Sequence, residues 1–180
     1  MTERMRRAWR RWRAARRLRV GEPLQGPEWV HLGIADGCNY RCTWCRLHSP
    51  LLPPQGRHDL LPRPLFEELV EDLQVLGTRL AEFGGVGEPL LHPEALPMVR
   101  RVKEAGMQAL LITNGARLTP EVCEELVAVG VDRINVSINA ATDETHERVH
   151  RAPRGDRARI VVMLEYPQRL RLSIERGPSP

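Results

Sequence analysis

The sequence predicts an α/β fold of about four strand–helix units with a parallel sheet, either barrel-like or doubly wound. Strand-like and helix-like segments follow one another in strict alternation from Trp29 to His150, and such alternation implies right-handed crossovers between parallel strands. Polar or glycine-rich residues follow each strand-like run. In a parallel barrel the loops after the strands share one rim, so we expect these residues to converge there.

Proline, glycine and apolar spacing set the predicted boundaries of the elements. Proline fits the first turn of a helix and glycine the position after its end, while short apolar runs indicate strands. The predicted strands are Trp29–Ala35, Leu80–Phe83, Gln108–Thr113 and Arg133–Ile138. The predicted helices run from Pro64 to Gly77, from about Pro97 to Gly106, from Pro120 to Gly130 and from Thr142 to His150.

Two of these helices carry further local signals. Four leucines of the first helix recur at helical spacing and are expected to form its buried face: Leu65, Leu69, Leu73 and Leu76. Thr119 is placed to cap the third helix. Cys123 lies in that helix without another thiol nearby in sequence, so we expect it to pack in the core.

The chain divides by composition into a basic extension and linker (1–28), a central domain (29–151) and a divergent C-terminal tail (152–180). Residues 1–20 hold nine arginines and one glutamate, whereas residues 21–150 hold eleven basic and nineteen acidic residues. The overall net charge of +4 therefore comes from the two ends. A basic isoelectric point does not in this case indicate a nucleic-acid-binding body.

The arginine-rich extension is interpreted as a solvated segment. Contact with RNA or an anionic membrane surface, or a role as an organellar transit segment, are the alternatives. The sequence lacks an apolar run near the ~20 residues that span a bilayer. Clustered thiols are typical of a reducing compartment, so a soluble cytoplasmic protein is expected.

Three of the four cysteines fall within eight residues after the first predicted strand, at Cys38, Cys42 and Cys45. This spacing is too close for a disulfide framework and indicates a metal site with one coordination position left over. An iron–sulfur cluster would use the open position for a ligand. A structural zinc ion would instead take His48, although four zinc ligands within eleven residues would be unusually close in sequence.

Two further segments follow predicted strands. Residues 84–89, Gly-Gly-Val-Gly-Glu-Pro, match neither a dinucleotide fingerprint nor a phosphate loop, but their glycines would let the backbone approach a ligand and Glu88 could bind a cation. A glycine-rich turn with an exposed glutamate is the alternative. In the fourth strand, Ser137 and Asn139 lie on the side opposite the apolar residues, which implies a polar ligand or water there.

The motifs together resemble those of the radical S-adenosylmethionine (radical SAM) superfamily. Residues 38–45, Cys-Asn-Tyr-Arg-Cys-Thr-Trp-Cys, are similar to its three-cysteine motif, and residues 87–93 resemble its Gly-Gly-Glu-Pro motif, with Val86 at the place of the first glycine. The resemblance extends from about Trp29 to Arg151 and implies a partial (β/α) barrel of the radical SAM type. That valine is expected to be tolerated if the backbone there does not need a positive φ.

The resemblance implies a [4Fe–4S] cluster on Cys38, Cys42 and Cys45 that binds S-adenosylmethionine and cleaves it to a 5′-deoxyadenosyl radical. By position, Trp44 would pack near the adenine. Gly87 and Glu88 would hold the methionine ammonium, and Ser137 and Asn139 would contact the carboxylate or ribose. The implied partners are an electron donor such as a flavodoxin or ferredoxin and an unidentified substrate, which could be a small molecule, a peptide or a protein.

The tail after Arg151 does not match the fifth and sixth units that the resemblance implies. We therefore expect a truncated member whose S-adenosylmethionine pocket lacks part of its adenine and ribose wall. Ile160–Tyr166 is predicted either to cover the open edge of the fourth strand as a makeshift fifth strand or to be poorly ordered, with no sixth strand following.

Overall fold

The computed structural model describes residues 26–53, 59–165 and 172–174. They contain one five-stranded parallel sheet with strand order β1-β2-β3-β4-β5. The strands are β1 (Trp29–Leu32), β2 (Leu80–Phe83), β3 (Gln108–Thr113), β4 (Arg133–Val136) and β5 (Leu172–Ile174). This arrangement confirms the predicted parallel partial barrel. The predictions for the arginine-rich segment 1–20 lie outside the described residues.

A helix follows each of the first four strands, and a second helix precedes β5. The helices are α1 (Arg63–Leu76), α2 (Ala95–Glu104), α3 (Pro120–Ala128), α4 (Asp143–His150) and α5 (Asp156–Glu165), with a short 3-10 turn at Pro89–Leu91. Thr119 and Thr142 cap α3 and α4 by accepting hydrogen bonds from the backbone N–H groups of Val122 and Thr145. Among the described helices, none has the length and apolar composition of a membrane-spanning segment.

The buried face of α1 differs from the predicted leucine stripe. Phe66, Val70 and Leu73 face the core, whereas Leu65 is 52% exposed. Phe66 lies against Phe83 of β2, with ring centroids 6.2 Å apart. Both sets of residues have helical spacing. The aromatic ring buries the larger area against the sheet, so the helix presents the face that contains Phe66.

Strand pairing brings the carboxyl ends of the strands to one rim. Leu32 of β1 is in register with Phe83 of β2, and Thr113 of β3 with Val136 of β4. The first and fourth strands end earlier than predicted, at Leu32 and Val136 instead of Ala35 and Ile138. After Leu32 the chain leaves the sheet, and Ala35 instead forms an isolated antiparallel bridge with Leu60.

The C-terminal segment corrects the prediction of a makeshift strand at Ile160–Tyr166. Residues up to Glu165 belong to helix α5, and Ile160 is fully buried. The strand beside β4 is Leu172–Ile174, which pairs with residues 134–136. A short apolar run is compatible with a helix or a strand. Asp156 at the first turn of α5 and the contacts of Arg159 described below favour the helix.

Candidate metal centre

The three clustered cysteines lie in a loop after β1 that is held from two sides. The N–H groups of Arg41 and Thr43 donate to the carbonyls of His150 and Val149 at the end of α4, at 3.2 and 2.9 Å. On the other side, the N–H of Glu88 donates to the carbonyl of Gly37 at 2.8 Å. The loop is therefore positioned by the segments that follow β2 and β4.

Hydrogen-bond donors surround the cysteine sulfurs, all of which are free thiols. Cys38 Sγ accepts from the N–H of Tyr40 at 3.5 Å, and Cys45 Sγ accepts from the N–H of His48 at 3.2 Å. Cys42 Sγ lies 3.1 Å from Nδ1 of His150. Donors in these positions stabilise negative charge on sulfur, which is the charge that a metal-bound thiolate carries.

Burial raises the pKa of the thiols at Cys38 and Cys42. For Cys42 the pKa rises to about 12, because burial is reinforced by the charges that Cys38 and Cys45 would carry as thiolates. Three thiolates therefore need a cationic partner in this loop. A metal group would supply it, and its binding would release protons.

The imidazole of His48, the fourth ligand of the alternative zinc site, is engaged by a backbone group of the loop after β2. The Nε2 atom of His48 lies 3.0 Å from the backbone carbonyl oxygen of Val86. Within the described part of the chain, no three His, Cys, Asp or Glu side chains are grouped to hold a single metal ion. Three thiols with N–H donors at sulfur fit a cluster bound through three cysteines, which also leaves a position for a further ligand.

Glu88 is buried and links the loop after β2 to the end of β3. One carboxylate oxygen accepts from the hydroxyl of Thr113 at 2.7 Å and from the N–H of Leu90 at 3.1 Å, and the other accepts from the N–H of Asn114 at 2.7 Å. Burial raises the pKa of this carboxyl, while the three hydrogen bonds and Arg117 oppose the rise. The predicted contact of Glu88 with an ammonium group stays a prediction.

Only glycine fits at position 87. A Cβ atom there would lie 2.3 Å from the carbonyl oxygen of Gly37 and 2.6 Å from that of Ala35. The preceding residue, Val86, does not have a positive φ, because Arg151 is the one non-glycine residue with positive φ in the described ranges. A valine is therefore tolerated at position 86. The expectation for Val86 is therefore confirmed, and the two motif loops touch through backbone atoms at Gly87.

Asn114 connects this second loop to the cysteines. Its side-chain amide donates to Oδ1 of Asn39 at 2.8 Å and approaches Cys38 Sγ at 3.7 Å. Its backbone N–H donates the hydrogen bond to the carboxylate of Glu88. The chain Glu88–Asn114–Asn39 thus joins the ends of β2 and β3 to the cysteine loop.

The other predicted site residues lie on the same rim. Trp44 is half-exposed and its ring meets the ring of His150 edge-on, with centroids 4.8 Å apart. The N–H of Asn139 donates to Nε2 of His150 at 3.3 Å, and the N–H of Ser137 donates to the carbonyl of Thr113 at 2.9 Å. Their roles toward a ligand stay predictions.

The sequence analysis missed two buried histidines of α4. His146 and His150 are 0% and 1% exposed, and their rings stack with centroids 4.3 Å apart beside Tyr40. Burial lowers the pKa of both, and that of His150 falls to about 4. Their spacing of four residues on one helix face was visible in the sequence. Their positions show no metal spacing with the cysteines, so the cysteine motif alone does not point to them.

The sequence analysis also missed a clamp formed by Asp156 and Arg159 in α5. The hydroxyl of Tyr40, in the cysteine loop, donates to Asp156. Burial and this hydrogen bond raise the pKa of Tyr40. Arg159 donates to Asp156 and to three carbonyls of the loop after β3, those of Gly115, Ala116 and Leu118. Two residues of the predicted C-terminal tail therefore position the cysteine loop.

The parallel sheet, the common rim and the three-thiol loop define a partial (β/α) barrel protein with clustered thiols beside the carboxyl ends of its strands. The chain belongs to the radical SAM superfamily, whose family profile, described as "Radical SAM superfamily", matches residues 32–166. Proteins of this superfamily carry a [4Fe–4S] cluster and bind S-adenosylmethionine.

Two enzymes with related sequences each match 71% of this chain. The AdoMet-dependent heme synthase of Methanosarcina barkeri is 34% identical over 127 residues, which are 71% of this chain and 35% of that protein. The GTP 3',8-cyclase of Heliobacterium modesticaldum is 32% identical over 129 residues, 71% of this chain and 39% of that protein. The chain thus spans 35–39% of the length of these two relatives.

Solved structures show the same fold. SuiB of Streptococcus suis bound to S-adenosylmethionine aligns with a TM-score of 0.72 over 91% of this chain and 37% of that chain, at 13% identity. The anSMEcpe structure with bound AdoMet aligns with a TM-score of 0.62 over 81% of this chain and 42% of that chain, at 19% identity.

Proposed function

We propose that this chain acts as a radical SAM enzyme or as the cluster-binding part of one. A bound [4Fe–4S] cluster would supply the electron that cleaves S-adenosylmethionine into methionine and a 5′-deoxyadenosyl radical, which abstracts hydrogen from a substrate. The observation that carries the proposal is the cysteine loop, placed on the same rim as the Gly87–Glu88 and Asn114 segments and bonded to both. Such convergence is the arrangement in which parallel-barrel enzymes build their active sites.

Each predicted site residue has a proposed role. Cys38, Cys42 and Cys45 would hold the cluster. The buried loop around Gly87 and Glu88 would present backbone groups and one carboxylate to the methionine ammonium, because charge-assisted hydrogen bonds favour such a pair.

The nucleoside side of the ligand would be held by residues on the other flank of the cysteine loop. Trp44 exposes enough of its ring to stack on the adenine. Ser137 and Asn139 would bind the carboxylate or ribose from the end of β4.

The substrate and electron donor are proposed only by class. The substrate is a small molecule, a peptide or a protein, and the reductant a flavodoxin or ferredoxin. The relatives named above differ in their products, heme in one and a cyclised GTP in the other, as their names state. Similarity to both relatives therefore leaves the substrate open.

The test is anaerobic reconstitution of the full 180-residue chain with iron and sulfide. We expect about four irons per chain, a number set by a [4Fe–4S] cluster, and a reduced spectrum that changes when S-adenosylmethionine is added. Formation of 5′-deoxyadenosine under reducing conditions tests the cleavage step itself. Cluster binding without that product would confine the proposal to the binding part of a larger enzyme.

Two alanine variants give a matched comparison. Cys42→Ala should lose most of its iron, whereas Cys123→Ala removes a thiol on the buried face of α3 and should keep its iron. Equal iron in both variants would overturn the proposal, and so would a native chain that binds one zinc ion and no iron.

A further inference from the structure

One buried imidazole contacts three of the predicted site residues at once. His150 is 1% exposed. Its Nδ1 lies 3.1 Å from Cys42 Sγ, its Nε2 lies 3.3 Å from the backbone nitrogen of Asn139, and its ring packs against Trp44. These contacts join a cysteine on one side of the site to the end of β4 on the other.

The hydrogen bonds determine which nitrogen of His150 carries the proton. The backbone nitrogen of Asn139 can only donate, so Nε2 must accept and cannot be protonated. A neutral imidazole with an accepting Nε2 carries its proton on Nδ1. That proton points at Cys42 Sγ, so His150 is the donor and the sulfur the acceptor.

Contacts on the ring hold the imidazole in this orientation. The N–H of Asn139 occupies Nε2 as a donor, and the ring of His146 stacks on the imidazole with centroids 4.3 Å apart. The carbonyl of His150 also accepts from the N–H of Arg41, which fixes the residue against the cysteine loop. The donor is thus held in place by contacts on both its backbone and its ring.

We infer that His150 is a positioning residue that donates a hydrogen bond from Nδ1 to the cluster-ligating sulfur of Cys42 and thereby favours the reduced cluster. The inference rests on the proposed function, since it needs a cluster on Cys42. Reduction adds negative charge to a cluster and its sulfurs, and a hydrogen bond to sulfur stabilises that charge. The same imidazole holds Trp44 and the Asn139 backbone beside this sulfur.

The test compares two substitutions of nearly equal shape. His150→Leu removes the donor, whereas His150→Asn places an amide N–H at the position of Nδ1. The readout is the midpoint potential of the reconstituted cluster, followed by electron paramagnetic resonance without S-adenosylmethionine. We expect the leucine variant to be reduced about tenfold less favourably, which for one electron is about 59 mV, and the asparagine variant to recover most of this loss.

A second measurement uses the wild-type chain, so it can be made even if His150→Leu does not fold. The chain contains six histidines, and it is labelled with histidine carrying ¹⁵N at Nδ1. Pulsed resonance of the reduced cluster should then detect a ¹⁵N coupling transmitted through the hydrogen bond to Cys42.

The outcomes separate the inference from the function on which it rests. A wild-type chain that assembles no cluster removes the proposed function. A cluster that assembles without the ¹⁵N coupling overturns the role of His150 alone. Unchanged potentials in both variants, or an equal decrease in both, would also overturn it, because an equal decrease would report lost packing and not a lost donor.

Discussion

Replacing Glu88 with glutamine exchanges one buried carboxylate oxygen for an NH₂ group. The change lies where the loop after β2 meets the end of β3. Each carboxylate oxygen accepts at least one hydrogen bond from Leu90, Thr113 or Asn114. In either orientation of the new amide, its NH₂ group lies opposite a backbone N–H group, and two donors cannot form a hydrogen bond. The backbone N–H of Asn114 loses its partner in one orientation and that of Leu90 in the other.

The loss of stability can be estimated from these contacts. A hydrogen bond to a charged group contributes about 1.5–3 kcal/mol, and a buried donor left without a partner costs about 1–3 kcal/mol. Removing the charge recovers part of this, because burial raises the pKa of Glu88 and thus penalises the carboxylate. We expect Glu88→Gln to lower the free energy of unfolding by about 2 kcal/mol, which is a large share of the ~5–15 kcal/mol of a typical domain.

The measurement is equilibrium urea unfolding of the metal-free chain near pH 7, followed by circular dichroism. Glu68→Gln is the matched control, since Glu68 is exposed on α1 and its substitution should change the free energy by less than ~0.5 kcal/mol. An equally small change in Glu88→Gln would show that the carboxylate does not join the two strand ends as described. Iron content after reconstitution gives a second readout, because a displaced Asn114 releases its contacts with the cysteine loop.

Three further predictions concern the residues around the cysteine loop. Arg159→Lys replaces a planar fork by a single ammonium and should lower the free energy of unfolding by ~1–3 kcal/mol, while the exposed Arg154→Lys should leave it unchanged; equal urea midpoints would contradict the clamp. Gly87→Ala should reduce the iron bound on reconstitution to less than half, because its Cβ would overlap two carbonyl oxygens, and normal loading would refute this packing; Val86→Ala is the control. His146 has a lowered pKa, so the unfolded state takes up its proton first and stability is lost as pH falls below about 6.5. His146→Leu should therefore lose less stability than wild type between pH 7.5 and 5.5, by up to about 1 kcal/mol, and an unchanged pH dependence in urea unfolding would argue against a buried neutral imidazole.

The parts of the fold that could be predicted from the sequence depend on local signals. Thr119 with Pro120 begins α3, Thr142 begins α4, and Gly77 ends α1 in the left-handed conformation. Helix α1 has two apolar faces, and the one with Phe66 is buried because its ring packs against Phe83 of β2. Local spacing does not distinguish the two faces. The apolar run at residues 160–165 is likewise compatible with a helix or a strand. Its helical state depends on contacts of Asp156 and Arg159 with distant parts of the chain.

The candidate site was predictable where its residues are close in sequence and not where they are distant. The three cysteines lie within one loop, so their spacing alone indicated a metal group. His150 is 108 positions from Cys42, and Asp156 is 116 positions from Tyr40. These partners meet only because the cysteine loop after β1 packs against the end of α4 and the start of α5, which no local pattern encodes.

The bond between Tyr40 and Asp156 also determines when the cysteine loop can be held in place during synthesis. The two residues are separated by 116 positions, and at ~5–20 residues per second a ribosome needs roughly 6–23 s to cover that distance. For nearly all of that interval Cys38, Cys42 and Cys45 have been synthesised while the clamp of α5 does not yet exist. The nascent chain therefore carries three thiols without this support until the first turns of α5 have been added.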